Sequence, residues 1–197
     1  LESESANVRG MTSFATFILI HGYWKFHLAA DSQEFQSFLT PEGFFTSTFV
    51  LHGTSNAVIH VQASMQGILT PFSQQIIAWL DDLLLHSDTE LSFLQHMRTF
   101  FAICRQYDLK LHSGKFQLFA TFVPWCGRLS SGEGVLFDLK RFQGHIFIPQ
   151  PLTGTYQHQF VCAANWMRTA IPCFSQLIAP LQRLLEDVDA HSGGRRT

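Results

Sequence analysis

A chain of 197 residues, 46% hydrophobic and 14% charged, carries ample apolar content for one domain with a small subdomain at most, which excludes wholesale disorder. The formal net charge of −2 lacks the basic excess that phosphate neutralisation demands, so composition alone argues weakly against a nucleic-acid binder, though Lys110, Lys115 and Arg128 fall in one region. Phe is overused, at 20 residues, which suggests burial within a larger protein or relaxed selection on the surface, with poor solubility in isolation.

Residues 1–10 read as a polar leader. Phe14 to Leu28 reads as a strand, a turn around His21-Gly22-Tyr23 and further extended chain, followed by a turn at Ala29 to Ser32. Phe35 to Leu39 and Phe44 to Val50 read as strands about the turn Thr40-Pro41-Glu42-Gly43. Asn56 then caps a helix on which Val58, Val61, Met65, Ile68 and Leu69 recur at helical spacing, and Pro71 stops it. In Gln75 to Ser87 two apolar runs flank Asp81-Asp82. This suits a buried β-hairpin tipped by the acidic pair, and a buried helix fits the periodicity as well. Asp88 is placed to cap a helix to Tyr107 whose inner face is Leu91, Leu94, Phe101, Cys104 and the stem of Arg98. Short strands follow at Leu109–His112, Lys115–Phe119, Phe122–Trp125 and Gly127–Leu129, then a turn at Gly132 and Gly134, and a connection over Gly144 to Pro151. Two helices, about Tyr156–Arg168 and Ser175–Leu185, are separated by Pro172, and the tail from Ala190 is polar and mobile. The order is an α+β pattern.

The four cysteines, Cys104, Cys126, Cys162 and Cys173, show no C-x-x-C pair and no metal-ligand spacing, which fits reduced thiols in an intracellular chain. The ten His residues show no H-E-x-x-H pattern and read as surface or packing residues. No apolar stretch reaches membrane-spanning length. The chain opens on Leu1 rather than Met, as a fragment does.

Asp81-Asp82 carries the chemistry. Adjacent carboxylates framed by apolar strands are costly to desolvate unless something neutralises them. A divalent cation does so: Mg²⁺ takes a few carboxylates plus substrate phosphates, and two such ions can clamp the oxygens of an in-line phosphoryl displacement. Taken alone, the dipeptide is more often a solvent-exposed turn.

The surroundings reverse that balance. W-L-D-D-L resembles the Y-x-D-D box of reverse transcriptases, with Trp79 in the Tyr place. Further matches run in the family's order. They are G-Y-W at Gly22 to Trp24 with D-S-Q-E-F and T-P-E-G after it; H-G-T-S-N-A-V-I-H-V-Q at His52 to Gln62; L-K-L-H-S-G-K at Leu109 to Lys115; and W-C-G-R-L-S-S-G-E-G-V at Trp125 to Val135. Phe160 to Leu185 resembles the thumb. Over about residues 11–187 the chain resembles a gypsy-type LTR-retrotransposon reverse transcriptase. The resemblance implies an α+β right-hand palm, an antiparallel sheet with packed helices, over 11–137 with partial fingers. It implies a connection and thumb-like helices over 138–187, and a tail over 188–197. It implies Mg²⁺ or Mn²⁺ held by Asp81 and Asp82, a gate at Tyr23 against the ribose 2′-OH, and Gln62 at the nucleotide pocket. It also implies a primer grip of Trp125, Cys126 and Gly127, with Lys115 near the leaving pyrophosphate. The implied partners are an RNA or DNA template with primer, deoxynucleotides and the rest of a Pol polyprotein, with no membrane.

The pattern fails at one decisive place. The family's first metal-binding Asp lies five residues before the gate Tyr, and here that position is Ile18, which has no oxygen to offer. Asp31, thirteen residues on, lies tens of Å away along extended chain at about 3.3 Å per residue. Trp79, His52 and Val61 depart from the pattern too, and the resemblance leaves most of the fingers and the ribonuclease H domain outside these residues. Three functions compete: a nucleotidyltransferase, a pseudoenzyme of the same fold, and a template–primer binding remnant. The net charge ranks the last lowest.

Overall fold

The computed structural model describes residues 6–54, 56–137, 151–168 and 171–191. The chain forms two compact units, residues 1–136 and 137–197. The first holds a four-stranded antiparallel sheet in the order β4-β5-β1-β6, made of β4 (Ile76–Trp79), β5 (Asp82–Ser87), β1 (Ser13–Ile18) and β6 (Gln117–Ala120). β1 and β5 are central and pair in register from Ser13↔Ser87 to Ile18↔Asp82.

Both faces of this sheet are covered, which is why every residue of β1 but Ile18 is buried, the polar Ser13 and Thr16 included, rather than every second one. The period of two still sorts the side chains. Ala15, Phe17, Leu19, Leu83 and Leu85 pack with Met65 and Leu69 of helix α1 (Ala57–Leu69) and with Phe93, Phe100 and Cys104 of helix α2 (Glu90–Gln106). Phe14, Ile77 and Leu84 face the other way, against Val8, Val123 and Trp125. The last two lie on β7 (Phe122–Trp125), which forms a second sheet with β8 (Arg128–Ser131) and β9 (Gly134–Phe137). A separate hairpin, β2 (Ser37–Thr40) with β3 (Gly43–Thr46), turns at Pro41-Glu42. The second unit contributes α3 (Gly154–Trp166) and α4 (Phe174–His191), joined where Gln157 Nε2 donates to the Leu181 carbonyl at 2.9 Å.

The α+β class holds, with several local corrections. The acidic hairpin turns on Leu80-Asp81, with Leu80 at φ 57°, so Asp82 is the first residue of β5 rather than part of the tip. Thr89, not Asp88, caps α2: its extended backbone lets its hydroxyl accept from Ser92 N–H at 3.3 Å. That helix buries Phe93, Phe100 and Cys104. Leu91, Leu94 and Phe101 stand exposed, and the Phe100 ring packs tilted on Phe17 at 4.7 Å between centroids. Asn56 precedes α1 without a side-chain cap, and α1 buries Ala57, Val61, Met65 and Leu69 while Val58 is exposed. Leu109–His112 forms only an isolated bridge, Leu19↔Leu111, and Gly22–Lys25 winds into a 3₁₀ turn. α4 continues past Leu185, through Pro180, to His191. The connection read over Gly144 to Pro151 lies, but for Pro151, outside the described residues, as do 1–5 and 192–197. Among the described residues no helix is long and apolar enough to cross a membrane.

Candidate active site

The site is built at one end of the central strand pair. Ile18 closes β1 directly opposite Asp82, and the Leu19 amide donates to the Asp81 carbonyl at 2.9 Å. Residues directly opposite in an antiparallel ladder share a face of the sheet. Ile18 and Asp82 therefore share the face that carries Phe14 and Leu84, away from the helices. Both are half-buried. Gly22 lets the two segments approach, since a Cβ there would stand 3.3 Å from Asp81 Cβ.

The β7–β8 turn reaches the same place. Trp125 pairs with Arg128 across a two-residue loop, Cys126-Gly127, in which both residues have positive φ, 46° and 77°. This is the signature of a type I′ turn. The Cys126 thiol donates to Asp82 Oδ2 at 3.9 Å. Burial, then the neighbouring Asp81 charge, pushes the Asp82 carboxyl above its ordinary range; the thiol contact and the Lys115 charge pull the other way. Burial, reinforced by Asp82, pushes the Cys126 thiol up to about 12, so it stays protonated and remains a donor. Trp125 is buried. Alternation along β7 turns its ring inward with Val123, so the hairpin offers the Cys126-Gly127 turn here rather than the ring.

Beside Asp81 opens a cleft of about 480 Å³ lined by His21, Gly22, Tyr23, Trp24, Leu51, His52 and Asp81, a volume within the roughly 300–1,000 Å³ of small-molecule sites. Tyr23 is buried against Val50, Ala57 and Val61, and the His52 ring leans on it at 3.9 Å between centroids. His21 stacks on Trp24 at 5.0 Å.

Gln62 does not line this cleft. Its Nε2 donates to the Ala78 carbonyl at 3.0 Å and its Oε1 accepts from the Leu80 amide at 2.7 Å, so its carboxamide is engaged by the acidic hairpin. Sequence reasoning missed this brace, and it also missed the Cys126–Asp82 contact. The alternation Phe14, Ile18 against Leu84, Asp82 signals which face holds the pair, but nothing local to Cys126 signals which strand it meets.

The donor set offers two carboxylates to a divalent cation where the expected site has three, and among the described residues no group of three or more His, Cys, Asp or Glu could hold a metal. Ile18, opposite Asp82, offers no oxygen to that set.

Residues 3–156 match the sequence profile described as "Reverse transcriptase (RNA-dependent DNA polymerase)". The chain belongs to the reverse transcriptase family. It is 25% identical over 187 residues to the Transposon Tf2-3 polyprotein of Schizosaccharomyces pombe, covering 94% of this chain and 14% of the polyprotein. It is 27% identical over 172 residues to the Retrovirus-related Pol polyprotein from transposon 412 of Drosophila melanogaster, covering 87% of this chain and 14% of that protein. This reverse transcriptase family chain thus spans about a seventh of those relatives. Its fold matches the foamy viral protease-reverse transcriptase solved with an RNA/DNA hybrid, at a TM-score of 0.80 and 20% identity over 94% of this chain and 25% of that one.

Proposed function

We propose that this chain is the palm and thumb of a gypsy-type LTR-retrotransposon reverse transcriptase whose nucleotidyl transfer is impaired at Ile18. Residues 11–137 are the palm and 138–187 the connection and thumb. The transposon polyproteins among its relatives and the motif order support the subtype. The hybrid bound by the foamy viral protein supports a template with primer as partner, and the cleft between Tyr23, His52 and Asp81 suits a deoxynucleotide.

One observation carries the impairment: the pairing of Ile18 with Asp82 on a shared face. Asp81 and Asp82 would hold Mg²⁺ or Mn²⁺, whose bound form supplies charge neutralisation at the reacting phosphate. Ile18 withdraws one oxygen from that set. Losing one carboxylate costs about 4 kcal/mol of transition-state stabilisation, about a thousandfold in rate. Lys115, whose charge already acts on Asp82, stands where it can steady anionic oxygens.

The test is primer extension with Mg²⁺ and with Mn²⁺, comparing the chain with Ile18→Asp. The expected result is background extension by the chain and a clear gain in the variant. Equal, robust extension by both overturns the impairment. A dead variant beside a dead chain places further defects elsewhere, with His52 and Trp79 the next positions to restore.

A further inference from the structure

We propose that Gln62 is a positioning residue whose carboxamide sets the Leu80-Asp81 turn and, through it, where the acidic pair stands. The functional part of this claim rests on the polymerase reading above; the structural part does not. β4 is the outer strand of its sheet. Trp79 and Asp82 flank the turn, and the alternation of an antiparallel ladder directs the Ala78 carbonyl away from β5. On that open side the Gln62 carboxamide acts as a one-residue substitute for a neighbouring strand. It offers a donor to the Ala78 carbonyl at 3.0 Å and an acceptor to the Leu80 amide at 2.7 Å.

The brace is firm at both ends. Gln62 sits between Val61 and Met65, both fully buried, so its backbone is fixed by the core. The residue it holds needs holding: Leu80 is left-handed at φ 57°, a conformation that a leucine adopts only at a cost. Releasing the Leu80 amide frees the turn to relax, and the next residue is Asp81, whose carbonyl anchors Leu19. The carboxamide has one oxygen and one nitrogen, both are engaged here, and the residue does not line the cleft. A nucleotide contact would require breaking the brace.

Two variants of the full chain separate the roles. Gln62→Met keeps length and removes both hydrogen bonds; Gln62→Glu keeps the acceptor for Leu80 and loses the donor. Hydrogen exchange at the Leu80 amide is expected to quicken about tenfold in Gln62→Met and much less in Gln62→Glu, with Leu84 and Leu85 unchanged. Unchanged exchange at Leu80, or equal quickening along all of β5, overturns the proposal. In the Ile18→Asp background, Gln62→Met is expected to lower kcat about tenfold with the deoxynucleotide KM unchanged. A raised KM at constant kcat returns Gln62 to the nucleotide and overturns positioning. If Ile18→Asp itself does not extend a primer, further defects lie elsewhere in the site, and exchange at Leu80 still decides whether Gln62 holds the turn.

Discussion

Restoring a carboxylate at Ile18 tests the geometry of the site without any turnover. The register sets Ile18 against Asp82, and directly opposed residues in an antiparallel pair have Cβ atoms about 4.5–5.5 Å apart on one face. Two carboxylates about 5 Å apart at an effective dielectric near 20 repel by about 3 kcal/mol. Asp82 is already pushed up by burial and by Asp81, so the newcomer enters an unfavourable field. In EDTA at neutral pH, Ile18→Asp is therefore expected to unfold about 3 kcal/mol more easily, a fall of about 6–12 °C in Tm for a chain of this size. A cation that binds the restored set reverses this. At a hundredfold excess over its Kd it contributes about 2.7 kcal/mol, nearly the whole loss. Thermal unfolding followed by Trp fluorescence, with EDTA and with Mg²⁺, reads both effects, and the parent chain is expected to shift far less with Mg²⁺. A variant as stable as the parent in EDTA, with the same indifference to Mg²⁺, would mean that position 18 does not face the acidic pair.

Three further outcomes follow from the fold. His86 is buried on β5, and burial, with His96 beside it, lowers its pKa from 6.5 to about 4. The unfolded chain takes its proton as pH falls through 6.5 and the folded chain resists until about 4, so this stability is whole above 6.5 and about 3 kcal/mol is lost by pH 4. Urea midpoints against pH should flatten across that window in His86→Gln, and identical slopes would count against it. Cys126→Asn should gain about 1 kcal/mol, because the type I′ turn asks for φ > 0 and Asn accepts it more readily than Cys; a loss would show that the thiol contact to Asp82 outweighs the strain. Phe100→Ala should cost about 3–5 kcal/mol, since the ring is fully buried against Phe17, while Leu91→Ala stays within about 0.5 kcal/mol; comparable losses at the two positions would reverse the assigned face of α2.

The local elements around the acidic pair were legible in the sequence. The apolar runs around Asp81-Asp82, the helix over Val61 to Leu69 and the five-residue spacing from Tyr23 to Ile18 are local patterns, and periodicity reads local patterns well. Helix faces were less legible. Both Leu94 and Phe93 are apolar, and which of them is inside is decided by packing against the sheet, where Phe93, Phe100 and Cys104 share one core with Phe17 and Leu85.

By itself, the sequence determined that a hydrocarbon stands five residues before Tyr23 and that two carboxylates sit together between apolar strands. These are matters of covalent order and alternation. Only the tertiary structure decided that Ile18 meets Asp82, that Cys126 donates to that same carboxylate across 44 residues, and that Gln62 is occupied by the hairpin. The physical reason is that strand register and side-chain hydrogen bonds join segments distant along the chain. Each partner's local pattern is compatible with many pairings, and burial of both sheet faces selects one of them.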